Sequence, residues 1–173
     1  GKYNNNSGDN YEYSLGLNGL GACATQYSSE YMDVEVRRDG KIYKLHFEKG
    51  ENVGGLQAED TRFKATGTKI KWRPDLDVFT DIDIQPEYFL DIMKRQAIVN
   101  AGIEFIFRNQ IGKSYDITTY NYENGIEDHV KEIVGDDSLS SIQCWSTERK
   151  VRDREDKPEY KCKMNVAFSF SNK

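Results

Sequence analysis

Three glycines, Gly16, Gly19 and Gly21, fall inside the six residues "GLNGLG", and the stretch that follows has helical spacing. Glycines at the head of a helix leave backbone N–H groups clear of side chains. The helix dipole adds positive potential there, so such a turn can receive a phosphate. The same geometry also serves as a tight helix entry with no ligand. The glycines follow a polar loop rather than a strand, which excludes a dinucleotide fingerprint, and G-x-x-x-x-G-K-[ST] does not occur.

The other groups with chemical potential are scattered. Cys23, Cys144 and Cys162 are odd in number and lack C-x-x-C spacing, which suits a reducing, cytoplasmic compartment better than a disulfide scaffold. Cys23 shares a helical stripe with Leu20, Ala24 and Tyr27 and reads as a small core thiol. Cys144 and Cys162 could face each other across two strands. His46 and His129 lack ligand-spaced companions and read as ordinary surface or half-buried histidines.

The 173 residues amount to one domain or a piece of a larger one. A formal charge of −5 argues against a free-standing nucleic-acid binder, so little direct DNA contact is expected. No apolar run approaches membrane-spanning length, and no membrane partner is expected. The opening "GKYNNNSGDN" lacks an initiating Met and reads as the middle of a loop, as in an excised fragment.

The elements that must position these residues follow from periodicity. Residues 33–50 alternate as a hairpin, with Asp39-Gly40 placed for a type I′ turn. Residues 51–67 read as irregular, and 69–73 as a third strand stopped by Pro74. A helix opens at Pro86 and ends near Gly102; its stripe of Phe89, Ile92, Met93 and Ala97 is expected to pack on the sheet of the first hairpin. Residues 103–110 and 114–123 read as strands around Gly112, and Ile126–Val134 as a short helix closed by Gly135. Two strands, about 142–147 and 160–171, flank the solvated charge run "ERKVRDREDKPE". The order predicts an α+β fold: a two-layer sandwich with a largely antiparallel sheet and helices on one face.

Three motifs in this order, "GLNGLG", the hairpin "RRDGK" and the strand start "TGT", carry a resemblance. The chain resembles the GHKL (Bergerat-type) ATPase region of the bacterial type IIA DNA topoisomerase B subunits, gyrase B and topoisomerase IV B, over nearly its whole length. The resemblance implies a partial GHKL fold: residues 1–14 an ATP-lid-like loop, 15–135 the C-terminal part of the ATPase domain, 136–173 the start of a transducer-like domain. It implies that Gly16, Leu17, Asn18, Gly19, Leu20 and Gly21 hold the triphosphate through backbone amides. Tyr11 matches a lid tyrosine that reaches adenine, Thr68 a threonine beside the base, and Arg38 an arginine on the pocket rim. Three positions depart from the pattern: Asn18 stands for a usual His, Leu15 for a Gly and Glu12 for a Lys.

The resemblance also implies ATP and Mg²⁺ as cofactors of the parent protein, an A subunit and DNA as its partners, and a homodimer of B subunits. The family's general-base Glu, its Mg²⁺-binding Asn and its Asp-Gly-x-Gly loop do not occur in this sequence. They are expected upstream, leaving no catalytic residue and no metal ligand in this chain, which alone is inactive. Two other readings stand beside this one: a non-catalytic interaction domain, and another GHKL ATPase such as a mismatch-repair protein.

Overall fold

The computed structural model describes residues 19–152, 154–156 and 159–172. They fall into two compact units, the first ending at Asp83 and the second beginning at Ile84.

In the first unit, helix α1 (Leu20–Tyr27) leads within two residues into strand β1 (Ser29–Arg38). Strands β2 (Lys41–Glu48), β3 (Glu51–Asp60) and β4 (Gly67–Pro74) complete a four-stranded antiparallel sheet in the order β3-β2-β1-β4. Asp39 and Gly40 both take positive φ, 53° and 70°, as the type I′ turn between β1 and β2 demands. The register divides the sheet by chemistry. Cross-strand partners share a face, so Met32, Val34 and Val36 line up with Phe47, Leu45 and Tyr43 on one side and with Trp72, Ile70 and Thr68 on the other. The opposite face carries Asp33, Glu35 and Arg37 with His46, Lys44, Lys69 and Lys71.

Residues 51–60 correct the expectation of an irregular segment. They form β3, an edge strand exposed along its whole length. No face of it is buried, so no apolar alternation marks it. A second two-residue turn with positive φ, Lys49-Gly50, is what folds it back onto β2.

In the second unit, α2 (Pro86–Val99) starts with Pro at its first turn and packs with the hairpin β5 (Phe105–Ile111)–β6 (Ser114–Tyr120). The α2 stripe was expected to serve the first hairpin's sheet; its partners within this unit are β5 and β6. Phe89 stacks on Phe107 of β5 with ring centroids 5.8 Å apart. Ala97 is fully buried, Met93 is half-buried and Ile92 is exposed. Helix α3 (Ile126–Val134) matches its predicted bounds and packs with α2 and with the last hairpin, β7 (Gln143–Val151)–β8 (Tyr160–Phe168). Strand β7 runs four residues further than the sequence suggests, so "ERKV" of the charge run is paired strand rather than loop.

The cysteine expectations change. Cys23 is exposed, as are Leu20 and Tyr27, and no residue of α1 is buried. Cys144 pairs with Ala167 and Cys162 with Arg149, five strand positions apart, so these thiols do not face each other. All three are free and exposed.

Candidate nucleotide-binding site

The glycine turn survives where it is described. Gly19 caps α1 in the left-handed region (φ 84°, ψ 12°), with no side chain capping the helix and no acidic residue in the first turn. The first intrahelical bond runs from the Cys23 N–H to the Gly19 carbonyl (3.1 Å). The amides of Leu20, Gly21 and Ala22 therefore have no acceptor within the helix. Among the described residues, a Cβ added at Gly21 would meet nothing within 4 Å. Amides without a helical acceptor and a helix dipole with no acidic residue in the first turn are what an anionic phosphate needs.

Thr68 lies near the start of β4 opposite Val36 of β1, on the apolar face of the sheet. A cavity of about 190 Å³ beside Thr66, Gly67 and Thr68 opens towards the other face, where Glu35, Arg37 and Lys69 also line it. Arg38 is two residues beyond Val36 along β1, hence on the apolar face, at the edge of the hairpin. Its guanidinium is exposed, 3.3 Å from the Asp39 carboxylate. One continuous piece, α1–β1–β4, thus carries every described candidate. Tyr11, Gly16, Leu17 and Asn18 lie outside the described residues.

Sequence reading missed what holds α1. Gln26 Nε2 donates to the Gly50 carbonyl at 2.7 Å. Gly50 is buried under the Tyr27 ring, where a Cβ would overlap the ring, and its φ of +86° suits glycine. Beside it Lys49 pairs with Asp77 and, at 3.5 Å, with the buried Asp75. The Asp77 carboxylate sits below its usual range because Lys49 hydrogen-bonds it, and the Lys49 ammonium is raised by the same contact. The signal was the Lys49-Gly50 turn, ten residues after Asp39-Gly40.

Both histidines have acidic neighbours. His46 Nδ1 sits 2.7 Å from Asp33 and Nε2 3.3 Å from Glu48, and these contacts, Asp33 first, raise its pKa. His129 stands edge-on to Tyr122 and 3.6 Å from Glu132. Among the described residues no cluster of His, Cys, Asp or Glu could hold a metal ion. They do not fit a Mg²⁺ site.

No protein-family model matches the chain. The topoisomerase IV B protein of Salmonella typhimurium is 33% identical over 135 residues, 78% of this chain and 21% of that protein. The gyrase B protein of Synechocystis is 32% identical over 130 residues, 75% of this chain and 12% of that protein. The chain belongs to the type IIA topoisomerase B-subunit family. It spans about a fifth of the length of the topoisomerase IV relatives it matches. The fold agrees: the 43K ATPase domain of Thermus thermophilus gyrase B, solved with an aminocoumarin, superposes with a TM-score of 0.66 at 23% identity, over 79% of this chain and 37% of that one. Mixed α/β architecture with antiparallel sheets is therefore the architecture of this B-subunit relative. Among its described residues no helix is long and apolar enough to cross a membrane.

Proposed function

We propose that this chain is the part of an ATP-binding topoisomerase B subunit that contributes the phosphate cradle and one side of the adenine pocket. The amide end of α1 carries the proposal, because its glycine motif matches the one whose amides hold the triphosphate in the family the chain resembles. Leu20 and Gly21 present amides, and Gly19 supplies the left-handed turn that aims them. Thr68 stands beside the base, and Arg38 flanks the entrance. Gly16, Leu17, Asn18 and Tyr11 complete the cradle and the lid by sequence match.

On this reading the general base, the adenine-reading Asp and the Mg²⁺ ligand are supplied by sequence outside this chain. Mg²⁺, when bound, neutralises phosphate charge. The complete protein uses ATP to close a B-subunit dimer and drive DNA strand passage with an A subunit. Residues 1–14, 15–135 and 136–173 are assigned to the lid, the ATPase region and the start of the transducer-like region. The "RRDGK" hairpin and "TGT" strand start favour a topoisomerase over a mismatch-repair protein.

The test is made on the complete protein carrying this chain. Gly19→Val, which forces a β-branched residue into the left-handed region, is expected to abolish ATP turnover and ATP-dependent strand passage. Full turnover in that variant would remove α1 from the site. An open reading frame that begins at or just before Gly1 would sink the division of labour.

A further inference from the structure

We propose that the Lys49-Gly50 turn is a positioning device for the phosphate cradle, clamping the tail of α1 so that its head points at the ligand. The inference rests on the ATP-binding reading above and adds residues that lie away from the phosphate.

Among the described residues, helix α1 has little else to fix its direction. None of its residues is buried. Its described tertiary anchors gather at the C-terminal end: the Gln26 hydrogen bond to the Gly50 carbonyl and the Tyr27 ring laid over Gly50. The turn is in turn fixed from behind. Lys49 reaches Asp75 and Asp77 in the loop that leaves β4, and the Lys49 N–H donates to the Glu30 carbonyl at 3.1 Å. That loop is also tied to the exit of the helix, because the Asp75 N–H donates to the Ser28 carbonyl at 3.0 Å. Three segments distant in sequence therefore meet where α1 ends.

Leverage makes this matter for binding. Eight residues span about 12 Å, so a tilt of about 10° at the tail moves the head by about 2 Å. Hydrogen bonds from amides to phosphate oxygens do not survive such a displacement. A misplacement of about 1 Å from a mutation far from the chemistry can cost on the order of a hundredfold. The adenine side is insulated, since Thr68 is held by β4 pairing with β1 at the far end of the strand. The clamp thus acts on the phosphates and not on the base.

The experiment measures, by calorimetry, the affinity of the complete protein for a non-hydrolysable ATP analogue and for adenosine. Gln26→Ala and Lys49→Met are each expected to weaken the analogue by at least about tenfold and to leave adenosine unchanged. Lys44→Met, which removes an exposed pair with Glu59 on the other face of the sheet, serves as a control and changes neither. Equal weakening of both ligands in the clamp variants would show a merely structural role and overturn the proposal. Unchanged analogue affinity in both variants would overturn it while leaving the ATP-binding reading intact. A complete wild-type protein that binds no analogue overturns the two together.

Discussion

Glu132 of α3 collects three neighbours. Lys94 Nζ donates to one carboxylate oxygen and the Tyr122 hydroxyl to the other, each at 2.6 Å, with His129 at 3.6 Å. The Lys94 hydrogen bond, then that of Tyr122, depresses its pKa from 4.5 to about 2. A depressed carboxylate contributes stability that is complete above its unfolded pKa and is lost as pH falls through the folded one. The window here runs from about pH 4.5 down to about 2. The full shift corresponds to about 3 kcal/mol. The Glu132 side chain is 47% exposed, and solvent screening reduces the contribution to about 1 kcal/mol. Glu132→Gln should therefore lose about 1 kcal/mol at pH 7 in urea denaturation and show a flatter acid limb between pH 5 and 3. Identical acid limbs in variant and wild type would refute this. His46 runs the other way. Its pKa is raised by Asp33 and then Glu48, so its contribution is complete below 6.5 and fades as pH rises through the folded value. Proton NMR should place the His46 midpoint above 6.5, and Asp33→Asn should lower it; a midpoint unmoved by Asp33→Asn would discount the 2.7 Å contact.

The elements differ in how they answer to substitution. Ala97 of α2 is completely buried, and a larger side chain has nowhere to go. Ala97→Leu should cost about 1–3 kcal/mol by overpacking. Met93 on the same stripe is only half-buried, so Met93→Ala should cost about 1 kcal/mol rather than a full core loss. Thermal melts of the two variants order them, and a larger loss for Met93→Ala would reverse the packing assigned to α2. The same contrast explains what the sequence made legible. Ile126–Val134 was readable to the residue because Asn124-Gly125 and Gly135 punctuate both ends. The β1–β2 hairpin was readable because Asp39-Gly40 can do little else. Strand β3 was not, because an edge strand exposed on both faces leaves no alternation and carries Gly54-Gly55 in its middle. Cys23 was misplaced for a related reason: helical spacing reports a stripe, not what covers it. At the candidate site, local motifs named Gly19, Gly21, Thr68 and Arg38. The Gln26–Gly50 contact joins residues 24 apart and has no local pattern to announce it.

At the scale of the whole chain, the unusual feature is how much apolar surface stays in water. On the sheet face that carries Thr68, Ile70 is 50% and Trp72 41% exposed, beside half-buried Val34, Val36, Tyr43 and Leu45. Contiguous apolar surface of this kind drives association. The 173-residue chain alone should therefore self-associate as its concentration rises, and Ile70→Lys with Trp72→Glu should shift sedimentation towards monomer. A wild-type chain that stays monomeric at millimolar concentration would count against it. The proposed reading also limits binding by the chain alone. On that reading, the α1 amides supply one wall for the triphosphate, and Thr68 and Arg38 supply one side for the base. The sequence has no Asp-Gly-x-Gly to pair with the adenine amino group. A few amide–phosphate hydrogen bonds contribute about 1–3 kcal/mol each, and immobilising the ligand costs on the order of 4–15 kcal/mol. The isolated chain should consequently hold a non-hydrolysable ATP analogue no more tightly than about millimolar, while the complete protein holds it at least about a hundredfold better. Calorimetric titration of both separates the outcomes: micromolar binding by the isolated chain would mean that the pocket is complete within these residues, and the groups assigned to sequence outside it would have to be sought here.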